Sequence, residues 1–105
     1  MTGIAQHIRK LVTIITEATL EKELIREIEQ LGIKGYTITD ARGRGDRGRR
    51  ASSWGHSGNI RVEIICDTVH AEPLISRMRE KYYDNFAMVM FVHDVEVLRP
   101  DKFSR

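Results

Sequence analysis

The periodicity of this chain switches between two and 3.6 residues in a fixed order, and that order leaves few folds open. Leu11 to Ile15 is a short, continuous apolar run rich in β-branched residues, the pattern of a strand buried on both faces. Leu20, Leu24, Ile25, Ile28 and Leu31 then recur at helical spacing. Thr19 is placed to cap that helix, Glu21 and Glu23 stand where the helix dipole favours acid, and Gly32 suits its end. The spacing therefore predicts a helix over 19–31. Tyr36 to Asp40 alternates as a second strand. Ile60 to Cys66 is a third, with Ile60, Val62 and Ile64 on one face and Arg61 and Glu63 on the other. Thr68 to His70 leads into a second helix with the apolar stripe Leu74, Ile75, Met78 and Tyr82. Pro73 is expected in its first turn, because deeper placement removes a hydrogen bond. Asp84 and Asn85 mark a turn, and Met88 to Leu98 reads as a long last strand ending at Pro100. Residues 1–9 read as a polar lead-in.

Strand, helix, strand, strand, helix, strand is the split βαβ, or ferredoxin-like, arrangement, an α+β sandwich. The 105 residues suit a single domain, 1–105. A chain this short buries a modest share of its surface, so association between copies is a direct way to add core.

The connection between the second and third strands departs from a simple hairpin, which takes two to five residues. It runs over 42–58 and opens with Arg42-Gly43-Arg44-Gly45-Asp46-Arg47-Gly48-Arg49-Arg50. Five arginines stand there against Asp46, whereas the whole chain carries a formal charge of only +2. The basicity is local, which suits a focused anion site better than a grip on a long polyanion. Glycines let the backbone come close to a ligand, and guanidinium forks fit phosphate or carboxylate. Ser52, Ser53, Trp54, His56 and Ser57 complete the loop. Trp54 either folds onto the protein when a ligand binds, docks into a partner, or packs permanently on the assembly.

Other chemistry is sparse. Cys66 is the only cysteine, so no intramolecular disulfide forms and no cysteine-built metal site exists; as a residue it reads as buried filler. His7, His56, His70 and His93 are scattered without ligand spacing, and no metal is expected. Glu63 has the chemistry of a general base but no identifiable partner acid or nucleophile. No apolar run suits a signal peptide or a membrane span, and the expected location is the cytoplasm, with no membrane insertion.

The element order with its long central loop resembles the PII family of trimeric signalling proteins. The residues that carry the resemblance are Gly32-Ile33-Lys34-Gly35-Tyr36-Thr37-Ile38-Thr39, Gly43-Arg44-Gly45 and Arg61-Val62-Glu63-Ile64-Ile65. It spans about Leu11 to Arg99. The segment Lys81-Tyr82-Tyr83-Asp84-Asn85-Phe86-Ala87 is similar to one in the PII-like branch linked to bicarbonate uptake and carboxysomes. The resemblance implies a homotrimer with an adenine nucleotide in the cleft between neighbouring subunits. By the same resemblance Gly43 and Gly45 match glycines whose amides approach phosphate, and Arg44 and Arg47 fall where loop side chains reach it. Thr37 lies in the strand lining the adenosine pocket, and Glu63, Ile64 and Ile65 fall on the strand facing the cleft. Phe86 is a candidate cover for the adenine, and Arg99 matches an arginine contributed across the subunit boundary.

Two departures narrow the expectation. The glycine- and lysine-rich segment that grips the outer phosphates of ATP in typical PII proteins is absent between Met78 and Val92, where Tyr82, Tyr83 and Phe86 stand instead. AMP, ADP or cyclic AMP is therefore favoured over ATP, with AMP or ADP first. The cysteine-containing tail of some relatives is absent as well. The resemblance also implies bicarbonate at the loop, and Arg49, Arg50, Ser52, Ser53 and Trp54 are candidates for it or for a protein partner, a bicarbonate transporter or a carboxysome-related component. The expected function is regulation of carbon or energy metabolism by binding, without catalysis and without a resident cofactor. The competing reading is an RNA-binding module using the Arg/Gly loop, but such loops usually carry stacking aromatics and this one offers only Trp54. A nucleic-acid partner is therefore not expected. An acylphosphatase-like hydrolase on the same fold needs a glycine-rich phosphate loop after the first strand, which Thr16-Glu17-Ala18-Thr19 does not supply.

Overall fold

The apolar run at Leu11 to Ile15 forms the middle of a longer strand, β1 (Ile8–Glu17). The computed structural model describes residues 7–43 and 58–103. Ile8 and Arg9, expected in the polar lead-in, already belong to β1 because β4 (Met88–Glu96) pairs with them, Ile8 opposite Glu96 and Arg9 opposite Val95. The sheet is completed by β2 (Thr37–Ala41) and β3 (Asn59–Cys66) in the order β2-β3-β1-β4. All three neighbouring pairs are antiparallel.

Two helices cover one face of this sheet. After β1 the chain makes a 3-10 turn (Ala18–Leu20) before α1 (Glu21–Gln30). The expected cap at Thr19 does not form: Thr19 lies inside the turn, and the N-cap position of α1 falls to Leu20, without a side-chain bond. Leu20 is 1% exposed, so its burial decides the path there, and the turn is closed by the Ala18 amide donating to the Gly58 carbonyl at 2.8 Å. Glu21 and Glu23 do stand in the first turn, and Gly32 ends the helix with φ of +81°. That left-handed conformation suits a residue without Cβ.

The second helix, α2 (Thr68–Tyr82), starts earlier than its proline suggests. Asp67 caps it, Oδ1 accepting from the His70 amide at 3.1 Å. Pro73 is then the sixth helical residue, not a first-turn one. It leaves the Val69 carbonyl without a helical donor, but Val69 and Pro73 are both exposed, so water can take that role. The strong Asp67 cap outweighs the proline as a start signal.

Alternation in β3 holds throughout: Ile60, Val62, Ile64 and Cys66 point under the helices. They meet Val12 and Ile14 of β1, Leu24 and Ile28 of α1, and Leu74 and Met78 of α2 in one core. Each such side chain contributes about 1.5–3 kcal/mol by leaving water. At the other end of the sheet, Thr16 Oγ1 donates to the Ala87 carbonyl at 2.7 Å and the Ala87 amide donates to Glu17 Oε2 at 2.8 Å. These bonds fix where β4 begins.

A charged clasp joins the helices. Glu27 is 5% exposed, yet Arg77 donates to its Oε1 at 2.6 Å and Lys81 and the Tyr82 hydroxyl donate to Oε2. Burial pushes the Glu27 pKa up, but the two cations outweigh it and hold the group below its ordinary range. Burial and the same carboxylate, with Glu23, push the Tyr82 phenol up to about 12.

Candidate functional site

Three of the predicted site residues, Thr37, Glu63 and Ile65, share the helix-free face of the sheet. Side chains directly opposite one another share a face. Thr37, Glu63, Thr13 and Phe91 therefore form one row across all four strands, and Thr39, Arg61, Ile15 and Val89 form the next. Arg61 Nε donates to Glu63 Oε2 at 3.1 Å, so the Glu63 carboxylate is already paired within its own strand. Thr13 is fully buried in the middle of the first row, and its Oγ1 has no hydrogen-bond partner among the described residues. Val89 is 57% exposed beside it.

At the end of this face, where β3 stops and the chain enters β2, a cleft of about 230 Å³ opens. Its walls are Ile33, Ile65 and Phe103, with Gly35 along the entrance to β2, and Cys66, His70, Lys34 and Lys102 complete it. Burial, with the Asp67 charge, pushes the Cys66 thiol up to about 11, so it stays protonated and is no nucleophile at neutral pH. Asp67 Oδ1 accepts from His70 Nδ1 at 2.6 Å as well as from the His70 amide. Burial pushes the Asp67 carboxyl up, but the His70 ring and amide outweigh it and hold it low. The site thus offers apolar walls, an oriented imidazole and two surface ammonium groups. No group of three metal-ligating side chains occurs among the described residues, and no described helix is long and apolar enough to cross a membrane.

The predicted residues are brought together only in part. Thr37 is exposed beside the cleft, opposite Glu63, and Ile65 lines the cleft. Ile64 is not on that face: it is fully buried under the helices, because side chains alternate along a strand, so its side chain is not available to a ligand there. Phe86 packs edge-to-face on Tyr82, ring centroids 5.9 Å apart, at the end of α2. Arg99 is exposed beyond β4, its carbonyl accepting from the Lys102 amide. Gly43 is exposed, without positive φ, and has open space where a Cβ would stand. Arg44, Gly45, Arg47, Arg49, Arg50, Ser52, Ser53 and Trp54 lie outside the described residues.

Sequence reading missed His70, Lys34 and the C-terminal Lys102 and Phe103. A signal for His70 existed: an aspartate three residues ahead of it at a strand-to-helix junction is an N-cap pattern that brings the imidazole back to the strand end. Phe103 carried none, because only the 3-10 turn Pro100–Phe103 returns it to the cleft.

The sheet order, the single helical layer and the cleft where β3 ends and β2 begins define a ferredoxin-like α+β protein with a candidate ligand site at the sheet's end. Over residues 9–102 the chain matches the model of the nitrogen regulatory protein P-II family, and it belongs to that family. Among solved structures it is similar to a Thermus thermophilus protein assigned to PII-like signaling, at 42% identity, TM-score 0.77, covering 91% of this chain and 95% of that one. It is also similar to CPII of Thiomonas intermedia K12 bound to ADP and bicarbonate, at 27% identity, TM-score 0.79, covering 91% and 94%. The same CPII with ADP, AMP and bicarbonate matches at 26% identity, TM-score 0.74, covering 89% and 96%.

Proposed function

We propose that this protein is a homotrimeric sensor that holds AMP or ADP at its subunit seams, binds bicarbonate with it, and signals carbon or energy status to a protein partner. The observation that carries the reading is the cleft beside Ile65 and Gly35, flanked by Thr37 and Glu63, in a chain whose relative CPII is bound to ADP and bicarbonate. The cleft is smaller than the about 300–1,000 Å³ that takes up a drug-sized ligand, so it seats a base rather than a whole nucleotide. The phosphates then extend toward Gly43, where Arg44 and Arg47 meet them, and Arg99 of a neighbouring copy closes the seam. The helix-free face supports the trimer: Ile15, Val89 and Phe91 place apolar surface there, and the Thr13 hydroxyl at its centre has no partner among the described residues.

An anion at the loop base neutralises the mutual repulsion of five guanidinium groups and so favours one loop conformation. That conformation presents or withdraws Trp54, with Arg49, Arg50, Ser52 and Ser53, toward bicarbonate or a partner such as a bicarbonate transporter or carboxysome component. Binding is the whole activity, and no catalytic step is needed. The test is calorimetry with AMP, ADP, ATP and cyclic AMP, each with and without bicarbonate. AMP or ADP is expected to bind most tightly, with an affinity that bicarbonate shifts, a coupling that must be reciprocal. Absence of heat with every adenine nucleotide contradicts the reading.

A further inference from the structure

We propose that His70 is the residue that selects adenine over 6-oxopurines, its Nε2 accepting a hydrogen bond from the base's amino group. This rests on the cleft being the seat of the base. A carboxylate only accepts, so the 2.6 Å contact from Nδ1 to Asp67 Oδ1 places the proton on Nδ1. In the neutral ring Nε2 then carries the lone pair. The ring is also held in place: Asp67 Oδ1 ties both the His70 amide and its side chain, which is 22% exposed. Nε2 lies beside the segment that enters the cleft, 3.8 Å from where a Cβ on Gly32 would stand. Among the described residues no group bonds to it.

The other lining side chains cannot do the same work. Ile33, Ile65 and Phe103 are apolar, Lys34 and Lys102 are donors only, and the protonated Cys66 thiol is a weak donor. Among the described side chains that line the cleft, His70 is thus the only good acceptor, and the walls suit a flat ring. A purine with an amino group at position 6 satisfies it, whereas one with oxygen there sets two acceptors against each other.

The experiment is calorimetry of the intact protein with ADP, IDP and purine riboside diphosphate, which differ at position 6, IDP also carrying a proton on N1. Wild type is expected to bind ADP roughly two- to tenfold more tightly than either, the span of one neutral hydrogen bond. His70→Phe keeps a flat ring without the acceptor and is expected to bring the ADP-to-IDP ratio near one. Asp67→Asn, which releases the tautomer, is expected to lower the ratio while a neutral ring remains. An unchanged ratio in His70→Phe with a native circular dichroism spectrum overturns the proposal, and so does equal binding of the three ligands by wild type, which requires no variant. If wild type binds no adenine nucleotide, the sensor reading falls and this inference falls with it. ADP binding with an unaltered ratio removes this inference alone.

Discussion

Single residues carry two kinds of charge work here. Glu27 holds the helices together through Arg77, Lys81 and Tyr82. Its folded pKa lies below the ordinary 4.5, so its contribution is complete above that value and fades as pH falls through the lower folded one. Glu27→Gln is therefore expected to lose about 1.5–3 kcal/mol at pH 7, by urea unfolding, while the difference from wild type shrinks at acid pH. A pH-independent difference would show that the carboxylate charge is not what matters. The loop arginines are expected to do the second kind of work. Arg44→Ala or Arg47→Ala should each weaken AMP or ADP binding by roughly 1.5–3 kcal/mol per lost charged hydrogen bond, measured by calorimetry. Unchanged affinity in both variants would mean that the phosphates are held elsewhere. Residue roles were the least legible part of the sequence. Alternation in β3 placed Ile64 under the helices, on the face away from Glu63 and Ile65, so periodicity already pointed its side chain into the core. His70 was hidden because its role depends on Asp67 as a cap rather than on any spacing among histidines.

Elements were far more legible, and for a physical reason. Strand and helix periods follow from backbone geometry, so Ile60 to Cys66 and the stripe Leu74, Met78 and Tyr82 read true. Element boundaries depend on tertiary bonds that spacing does not reveal. β1 gained Ile8 and Arg9 from pairing with β4, and α1 lost Thr19 to the 3-10 turn that buries Leu20. Pro73 gives the sharpest test at this scale. In the second turn of α2 it removes one helical bond and crowds the preceding turn. Pro73→Ala is expected to raise stability, by up to about 3 kcal/mol, seen as a higher thermal midpoint. A lowered midpoint would mean that the helix is built around the proline, with its kink or its effect on the unfolded chain outweighing the missing bond.

One chain covers only one side of its sheet with helices. The helix layer closes one side of the sheet completely, with Val12, Ile14, Val62 and Ile64 fully buried. The other side keeps Val89 and half-buried Ile15 and Phe91 toward the surface, with a buried Thr13 hydroxyl that has no partner among the described residues. A polar atom in that position favours an arrangement that gives it a partner or a water. The fold was legible at this scale because six periodic segments in one order admit few topologies. How copies meet is not legible in this way, since no residue pattern within one chain states it.

Whether an adenine nucleotide sits at a seam between identical chains is decided by a crystal structure grown with ADP and bicarbonate. Three chains around one axis are expected, with ADP at each seam, its base against Ile65 and Gly35 within reach of His70 Nε2, and its phosphates facing Gly43 and the loop arginines. A stable monomer in that crystal and in solution, or a trimer whose seams stay empty at saturating ADP, would contradict that arrangement.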